Sequence, residues 1–170
     1  MAPHPPFVFG PDGEEVRPAG SFGYWDGSHF NEMEGTDEEY RAGYRGQARY
    51  ISKLLLETLS SFPNGGVADP IIIIQGDHGP KSGLDQESLE RTDVSEVFPI
   101  LSAYRVPNDI RARLYPGVTP INSFRIFLSS LFGEGLPNLP DRSFFSTWEK
   151  PTSFTDVTDR VVRRGDRRQE

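Results

Sequence analysis

Two side chains with metal-binding chemistry, Asp77 and His78, are neighbours in this sequence and stand between Gly76 and Gly79. Carboxylate oxygens and imidazole nitrogens are ligands for divalent metals, and both groups can also transfer protons during catalysis. The chain has no cysteine, so any metal must be bound through oxygen and nitrogen atoms. The same pair could instead form an ordinary turn, in which Asp77 accepts hydrogen bonds from nearby amides and His78 is solvated.

The element that must position this pair is the apolar run Ile71–Ile74, which ends three residues before Asp77. Four consecutive β-branched residues predict a strand buried on both faces, as in a parallel or mixed sheet covered by helices. Binding sites in open α/β sheets lie at the carboxyl ends of strands. We therefore expect Asp77 and His78 at such an edge, where the two glycines let backbone or ligand come close.

A long helix is predicted upstream of this strand. Thr36 and Glu39 have the spacing of a capping box, which predicts the helix N-terminus. Apolar side chains then recur at steps of three and four as far as Phe62, which predicts one buried helix face. The Pro-Asn-Gly-Gly sequence at 63–66 predicts the end of the helix. A long amphipathic helix followed by a buried strand is typical of an α/β fold.

Three further elements are predicted downstream. Residues 97–104 and 143–148 read as strands because they are rich in apolar and aromatic side chains. Thr119 and Pro120 predict the N-cap and first residue of a second helix, and Gly133 predicts its end. This helix is apolar almost all round, so we expect burial on most of its surface.

Composition sets limits on the class of protein. The length of 170 residues suits one domain, while 17 glycines and 15 prolines indicate many turns and long loops. A net charge of −7 argues against nucleic-acid binding. The sequence has no apolar run long enough for a membrane span and does not open with a signal peptide. We expect an α/β domain over residues 3–150, with a mixed sheet, flanking helices and long loops, and a disordered arginine-rich tail over residues 151–170.

Several motifs follow one another in a fixed order along the chain. They are His4-Pro5-Pro6-Phe7, Tyr44 with Gln47 and Tyr50, Ile71–Ile74 leading into Gly76-Asp77-His78-Gly79, Tyr104-x-x-Pro107, and Thr119-Pro120 before Gly133. This order resembles the C-terminal half of the alkaline-phosphatase/sulfatase superfamily. It is most similar to the membrane-anchored, sulfatase-like branch that includes lipoteichoic acid synthases and phosphoethanolamine transferases. The resemblance covers about residues 3–148, and Asp-His-Gly after an apolar strand is its most specific motif.

The resemblance implies a partial alkaline-phosphatase-like fold and roles for three residues. In the family, the Asp and His of this motif bind a catalytic divalent metal, which assigns Asp77 and His78 as metal ligands. An upstream His before prolines contacts the phosphate or sulfate group of the substrate, and His4 matches it. The implied cofactor is zinc, manganese or magnesium.

The resemblance also implies an incomplete site and an inactive isolated chain. The family's nucleophile (a Thr, Ser or modified Cys) and a further acidic ligand belong to the N-terminal half of the domain. That half is the implied partner, the substrate is a phosphate or sulfate ester, and the parent enzyme is anchored in a membrane with this domain on the extracytoplasmic side. The chain departs from the family pattern at Gly76 and Pro80, where Ser and Glu are usual, and no histidine follows His78.

Two other functions remain open at this point. The chain could be a non-catalytic α/β binding or assembly module, with the aromatic residues of 22–30 as a partner surface and an open sheet edge that promotes self-association. It could also be an unrelated small metallohydrolase that uses His4, His29, Asp77 and His78.

The ligands that could complete the Asp-His pair are Asp26, His29 and Glu32, although nothing in their spacing requires it.

Overall fold

The computed structural model describes residues 3–18, 27, 30, 35–62 and 70–161. These residues form an α/β structure with short antiparallel sheets and few helices. The chain divides into two compact units, where the sequence predicted one domain over residues 3–150. The first unit comprises Met1–Asp69 with Pro80–Asp85, and the second comprises Pro70–Gly79 with Gln86–Glu170.

The first unit is built on helix α1, Asp37–Ser60. The predicted capping box is confirmed: Thr36 Oγ1 accepts a hydrogen bond from the Glu39 amide, and the Glu39 carboxylate accepts one from the Thr36 amide at 2.8 Å. The helix ends at Ser60, before the predicted stop sequence at 63–66, which lies outside the described residues.

The N-terminal segment packs on one face of α1 through aromatic rings. The Tyr40 ring is edge-on to those of Phe7 and Phe30, with centroid distances of 5.3 and 5.4 Å. Tyr40 is buried, and its hydroxyl accepts a hydrogen bond from the Lys81 amide at 2.9 Å. Edge-to-face pairs of this kind stabilise a small core beyond the area that they bury.

In the second unit, strand β1 (Ile72–Gln75) pairs antiparallel with strand β2 (Ser102–Arg105). The prediction of a parallel or mixed sheet was therefore wrong for the described residues, and β1 is half-buried instead of covered on both faces. A run of isoleucines indicates an apolar strand, but it carries no information on which strand pairs with it or in which direction. Here Ile73 faces Tyr104 in register.

The core of this unit lies against one face of the β1–β2 sheet. Helix α3 (Asn108–Arg111) and helix α4 (Pro120–Phe132) follow β2 along the chain. The buried centre is Val106, Ile110, Ile126 and Phe127, and the half-buried side chains packed against it include Ile71, Ile73 and Tyr104.

Helix α2, Val94–Val97, overlaps the predicted strand 97–104 at Val97. The predicted strand at 97–104 begins only at Ser102, because Val97 ends a short capped helix and is buried. Asp93 is the N-cap of α2 and accepts hydrogen bonds from the Ser95 and Glu96 amides.

The bounds predicted for α4 are confirmed, with Pro120 at its first turn and Gly133 as the left-handed C-cap at φ 72°. Burial almost all round was wrong. Ile126 and Phe127 are buried, whereas the opposite face carries an exposed apolar stripe. Its members, spaced along one side of the helix, are Ile121, Phe124, Leu128, Leu131 and Phe132.

The C-terminal segment is folded further than predicted. Strand β3 (Phe144–Phe145) pairs antiparallel with strand β4 (Thr155–Asp156), and a 3-10 helix follows at Thr158–Arg160. Val157 is only 1% exposed. The predicted disordered tail over 151–170 is therefore wrong as far as residue 161, because an apolar side chain and a strand pairing hold this segment; residues 162–170 lie outside the described part.

Within the described ranges, none of the helices combines the length and apolar character needed to span a membrane.

Candidate functional site

Asp77 and His78 follow directly from the end of β1 and lie side by side at the surface. Their side chains are 86% and 39% exposed, and Asp77 Oδ2 lies 3.7 Å from His78 Nε2. The Asp77 carboxylate also accepts a hydrogen bond from the His78 amide at 3.1 Å. The two predicted ligands thus face one another, with neither turned into the core.

The backbone of Gly79 fixes which nitrogen of His78 carries a proton. His78 Nδ1 lies 2.7 Å from the Gly79 carbonyl oxygen. Because a carbonyl only accepts, Nδ1 must donate, and Nε2 is the atom presented to Asp77. Metal-binding histidines commonly donate their other ring nitrogen to a backbone carbonyl in this way.

With this tautomer, the Asp77–His78 pair becomes electrostatically favourable only when it binds a proton or a cation. An unprotonated Nε2 and an ionised carboxylate both present lone pairs, so at 3.7 Å they repel each other weakly. A proton on Nε2 or a cation bound by both groups converts the repulsion into attraction. The pair is therefore arranged to receive positive charge.

Two backbone hydrogen bonds hold the turn that bears the pair. The Gly76 amide donates to the Leu101 carbonyl, and the Gly79 amide donates to the Val97 carbonyl, both at 2.9 Å. A β-carbon on Gly79 would lie 2.5 Å from the Glu96 oxygen and 2.6 Å from the Val97 oxygen, so only glycine fits there. The close backbone approach predicted for the glycines is thus a property of Gly79. At Gly76 the nearest atom is 3.6 Å away.

The pair fits a divalent metal as two of its ligands. Bond lengths near 2.1 Å at a tetrahedral angle separate nitrogen and oxygen by about 3.4 Å, so a small side-chain rotation from 3.7 Å suffices. Across the described residues, no group of three His, Cys, Asp or Glu could hold a metal. The candidate third ligands Asp26, His29 and Glu32 lie outside the described residues.

His4 lies in the first unit, in a segment held against α1. Its Nδ1 donates to the Pro5 carbonyl at 2.5 Å, which leaves Nε2 as the atom available to a ligand. Gln47, which is 1% exposed, donates to the His4 carbonyl and accepts from the Val8 and Phe9 amides. The buried amide therefore fixes the backbone on both sides of the prolines.

Sequence reasoning missed a polar cluster around Asp141. This carboxylate accepts hydrogen bonds from the Tyr115 hydroxyl, the Thr119 amide and hydroxyl, and the fully buried Asn122 amide. Partial burial raises the pKa of Asp141, but the hydrogen bonds from Thr119, Tyr115 and Asn122 outweigh burial and hold the pKa below its usual value. No short spacing links Asp141 to its partners, so the sequence carries no local signal for the cluster.

Beside this cluster lies an open cleft of about 540 Å³, lined by residues 140–142 and 156–160. Its side chains carry both charges, and Arg142 pairs with Asp156 at 3.6 Å. The cleft contains none of the candidate metal ligands.

Comparison of the chain with protein-family models, curated proteins and solved structures gives no match.

Proposed function

We propose that this chain is the C-terminal part of a metal-dependent sulfatase- or phosphotransferase-like domain. Asp77 and His78 are proposed as ligands of a divalent zinc, manganese or magnesium ion, and His4 as a contact to the phosphate or sulfate group of the substrate. The observation that carries the proposal is the 3.7 Å pair of Asp77 Oδ2 and His78 Nε2, with His78 Nδ1 held by a backbone carbonyl. The order of motifs along the chain supports it.

A divalent ion, when bound, polarises a phosphoryl or sulfuryl oxygen and activates a hydroxyl nucleophile. Asp77 contributes negative charge to such an ion, and His78 contributes a neutral nitrogen whose orientation Gly79 sets. His4, when protonated, donates from Nε2 to an equatorial oxygen of the transferring group, where charge must be neutralised. Each residue thus has one role that its local hydrogen bonds already favour.

The catalytic groups that this chain lacks would belong to another part of a longer protein. The nucleophile and a further acidic ligand would come from an N-terminal half of the same alkaline-phosphatase-like fold, and a membrane anchor would place the domain on the extracytoplasmic side. Catalytic metals usually have three protein ligands, and the described residues offer two at this site. We therefore expect the isolated chain to hydrolyse neither phosphate nor sulfate esters.

Calorimetric titration with Zn²⁺ and Mn²⁺ tests the proposal. The wild-type chain should bind one ion per chain, and Asp77→Asn and His78→Ala should each weaken binding by about tenfold or more because half of the ligand set is lost. Asp109→Asn, an equal charge change at an exposed site in the same unit, is the matched control and should leave affinity unchanged. Equal affinity in all four proteins would show that metal binds elsewhere.

A non-catalytic assembly module is the second candidate, and the exposed stripe on α4 favours it. Contiguous apolar patches on a protein surface mark interaction sites. The five side chains of the stripe are uncharged, and Arg125, which lies beside them on α4, donates from its guanidinium to the Pro137 carbonyl at 2.6 Å. Two copies of the chain can therefore bury these apolar side chains against each other. Sedimentation should show concentration-dependent dimers in the wild type and monomers after Leu128→Glu. A wild-type monomer at all concentrations would remove this candidate.

A further inference from the structure

The turn that bears Asp77 and His78 packs against helix α2 through Gly79. The Val97 carbonyl accepts the Gly79 amide at 2.9 Å, and the Glu96 and Pro99 carbonyls also lie against Gly79. Gly79 in turn supplies the carbonyl that holds His78 Nδ1. The position of the His78 ring therefore depends on where the last turn of α2 lies.

This helix has only four residues and depends on its cap. The Asp93 carboxylate accepts from the Ser95 amide at 3.0 Å, the Ser95 hydroxyl at 2.7 Å and the Glu96 amide at 3.2 Å. The Asp93 carbonyl accepts from the Glu96 and Val97 amides as well. Helices this short are not stable by their own propensity, so the cap and the two buried valines, Val94 and Val97, must hold α2 in place.

We propose that Asp93 is a positioning residue for the Asp77–His78 pair. It acts through the cap of α2, the Val97 carbonyl and the Gly79 backbone, and so sets both the tautomer and the direction of the His78 ring. The metal-binding part of this inference rests on the proposed function, whereas the effect on the His78 ring does not.

Three variants distinguish the effect of the Asp93 cap on α2 from the effect of the Asp93 charge. Asp93→Ala removes the cap, Asp93→Asn retains an N-cap acceptor while removing the charge, and Asp109→Ala removes an equivalent exposed charge in the same unit. Zn²⁺ affinity should fall about tenfold in Asp93→Ala, as for other residues that orient a metal ligand, and remain near wild type in Asp93→Asn and Asp109→Ala. All titrations are made at a temperature where circular dichroism shows each variant folded.

Nitrogen-15 NMR of the His78 ring gives a readout that needs no metal. At about pH 8, where an ordinary histidine is neutral, the wild type should show mainly the Nδ1-protonated form. Asp93→Ala should populate both tautomers of the His78 ring, whereas Asp93→Asn should retain the wild-type spectrum. If Asp93→Ala does not fold, Asp93→Gly, which is a weaker but tolerated N-cap, is measured in the same way.

The two readouts distinguish the possible failures. A chain that binds no Zn²⁺ but whose His78 tautomer responds to Asp93→Ala keeps the positioning role and loses the proposed function. A folded Asp93→Ala variant with wild-type tautomer and wild-type Zn²⁺ affinity overturns the positioning role. If Asp93→Asn lowered Zn²⁺ affinity and mixed the His78 tautomers as much as Asp93→Ala, the positioning role would also be overturned. The charge of Asp93, and not its cap of α2, would then be responsible for both effects.

Discussion

At Gly79 the lack of a side chain allows the backbone to rest on three carbonyl oxygens. An added β-carbon would approach the Glu96, Val97 and Pro99 oxygens to within 2.8 Å or less, closer than van der Waals contact permits. The turn would have to move, and His78 would move with it, since its Nδ1 is bonded to the Gly79 carbonyl.

Gly79→Ala is therefore expected to destabilise the chain by about 1–3 kcal/mol, the usual cost of overpacking, and to weaken Zn²⁺ binding. Urea unfolding and calorimetry measure the two effects. Gly76→Ala is the control, because its β-carbon would meet ordinary contact distances, the nearest being 3.6 Å. Equal stabilities for the two variants would contradict the close approach at Gly79.

The hydroxyl of Tyr104 is buried without a hydrogen-bond partner among the described residues. Its ring packs edge-on against Phe127 at a centroid distance of 5.2 Å, so the aromatic part makes a favourable contact while the hydroxyl oxygen is desolvated. Removing an unpartnered buried hydroxyl without changing the ring should relieve a desolvation cost of about 1 kcal/mol.

Tyr104→Phe should consequently raise the free energy of unfolding, as measured by urea denaturation. Tyr115→Phe makes the same chemical change where the hydroxyl donates to Asp141 at 2.6 Å, so it should lower stability by about 1–2 kcal/mol. A loss of stability in Tyr104→Phe would mean that its hydroxyl has a partner, such as a water or a ligand.

At the scale of elements, the N-terminus of α4 illustrates how a predicted helix can be capped in an unpredicted way. Thr119 occupies the N-cap position, but its side chain makes no cap bond; its hydroxyl instead donates to Asp141 at 2.6 Å. The Thr119 amide donates to the same carboxylate, so Asp141 ties the start of the helix to the loop after it.

This arrangement predicts a pH dependence of stability. Because hydrogen bonds lower the pKa of Asp141 in the folded state, its stabilisation is fully present above the unfolded-state pKa of about 3.9 and is lost as pH falls through the lower folded value. Thermal unfolding between about pH 6 and pH 2.5 should show this contribution. Asp141→Asn should be less stable at pH 6 by about 1–2 kcal/mol, after allowance for partial solvent exposure, and the difference should shrink in acid. A constant difference would contradict the assignment.

At the scale of the whole molecule, the predicted substrate residue His4 belongs to the first unit, and the predicted metal ligands Asp77 and His78 belong to the second. The second unit also extends beyond residue 150, since β4 and Val157 belong to it. Its C-terminal boundary therefore depends on packing that composition alone did not reveal.

Shortening the chain tests this boundary. A chain that ends at residue 153 lacks β4 and the buried Val157 and leaves Phe145 without its paired strand. It should lose at least about 2 kcal/mol of stability relative to a chain that ends at residue 161. Thermal unfolding of the two chains gives the comparison. Equal melting temperatures would support the disordered tail that the composition predicted.

The sequence alone determined the features that depend on residues close together in the chain. The capping box of Thr36 with Glu39 and the glycine stop at Gly133 were predictable because each hydrogen bond or backbone conformation involves only a few consecutive residues. The adjacency of Asp77 and His78 is local in the same sense, so the pair could be identified as a candidate site.

Tertiary structure decided the features that join distant segments. The antiparallel pairing of β1, the close packing of Gly79 on α2 and the burial of Val157 each bring together residues that are far apart in the chain. Such contacts carry no signal in spacing or composition, because loop closure allows many partners and only mutual packing selects one. For that reason a carboxylate and an imidazole were foreseen, whereas the packing of Gly79 against the Val97 carbonyl, which holds the turn that bears them, was not.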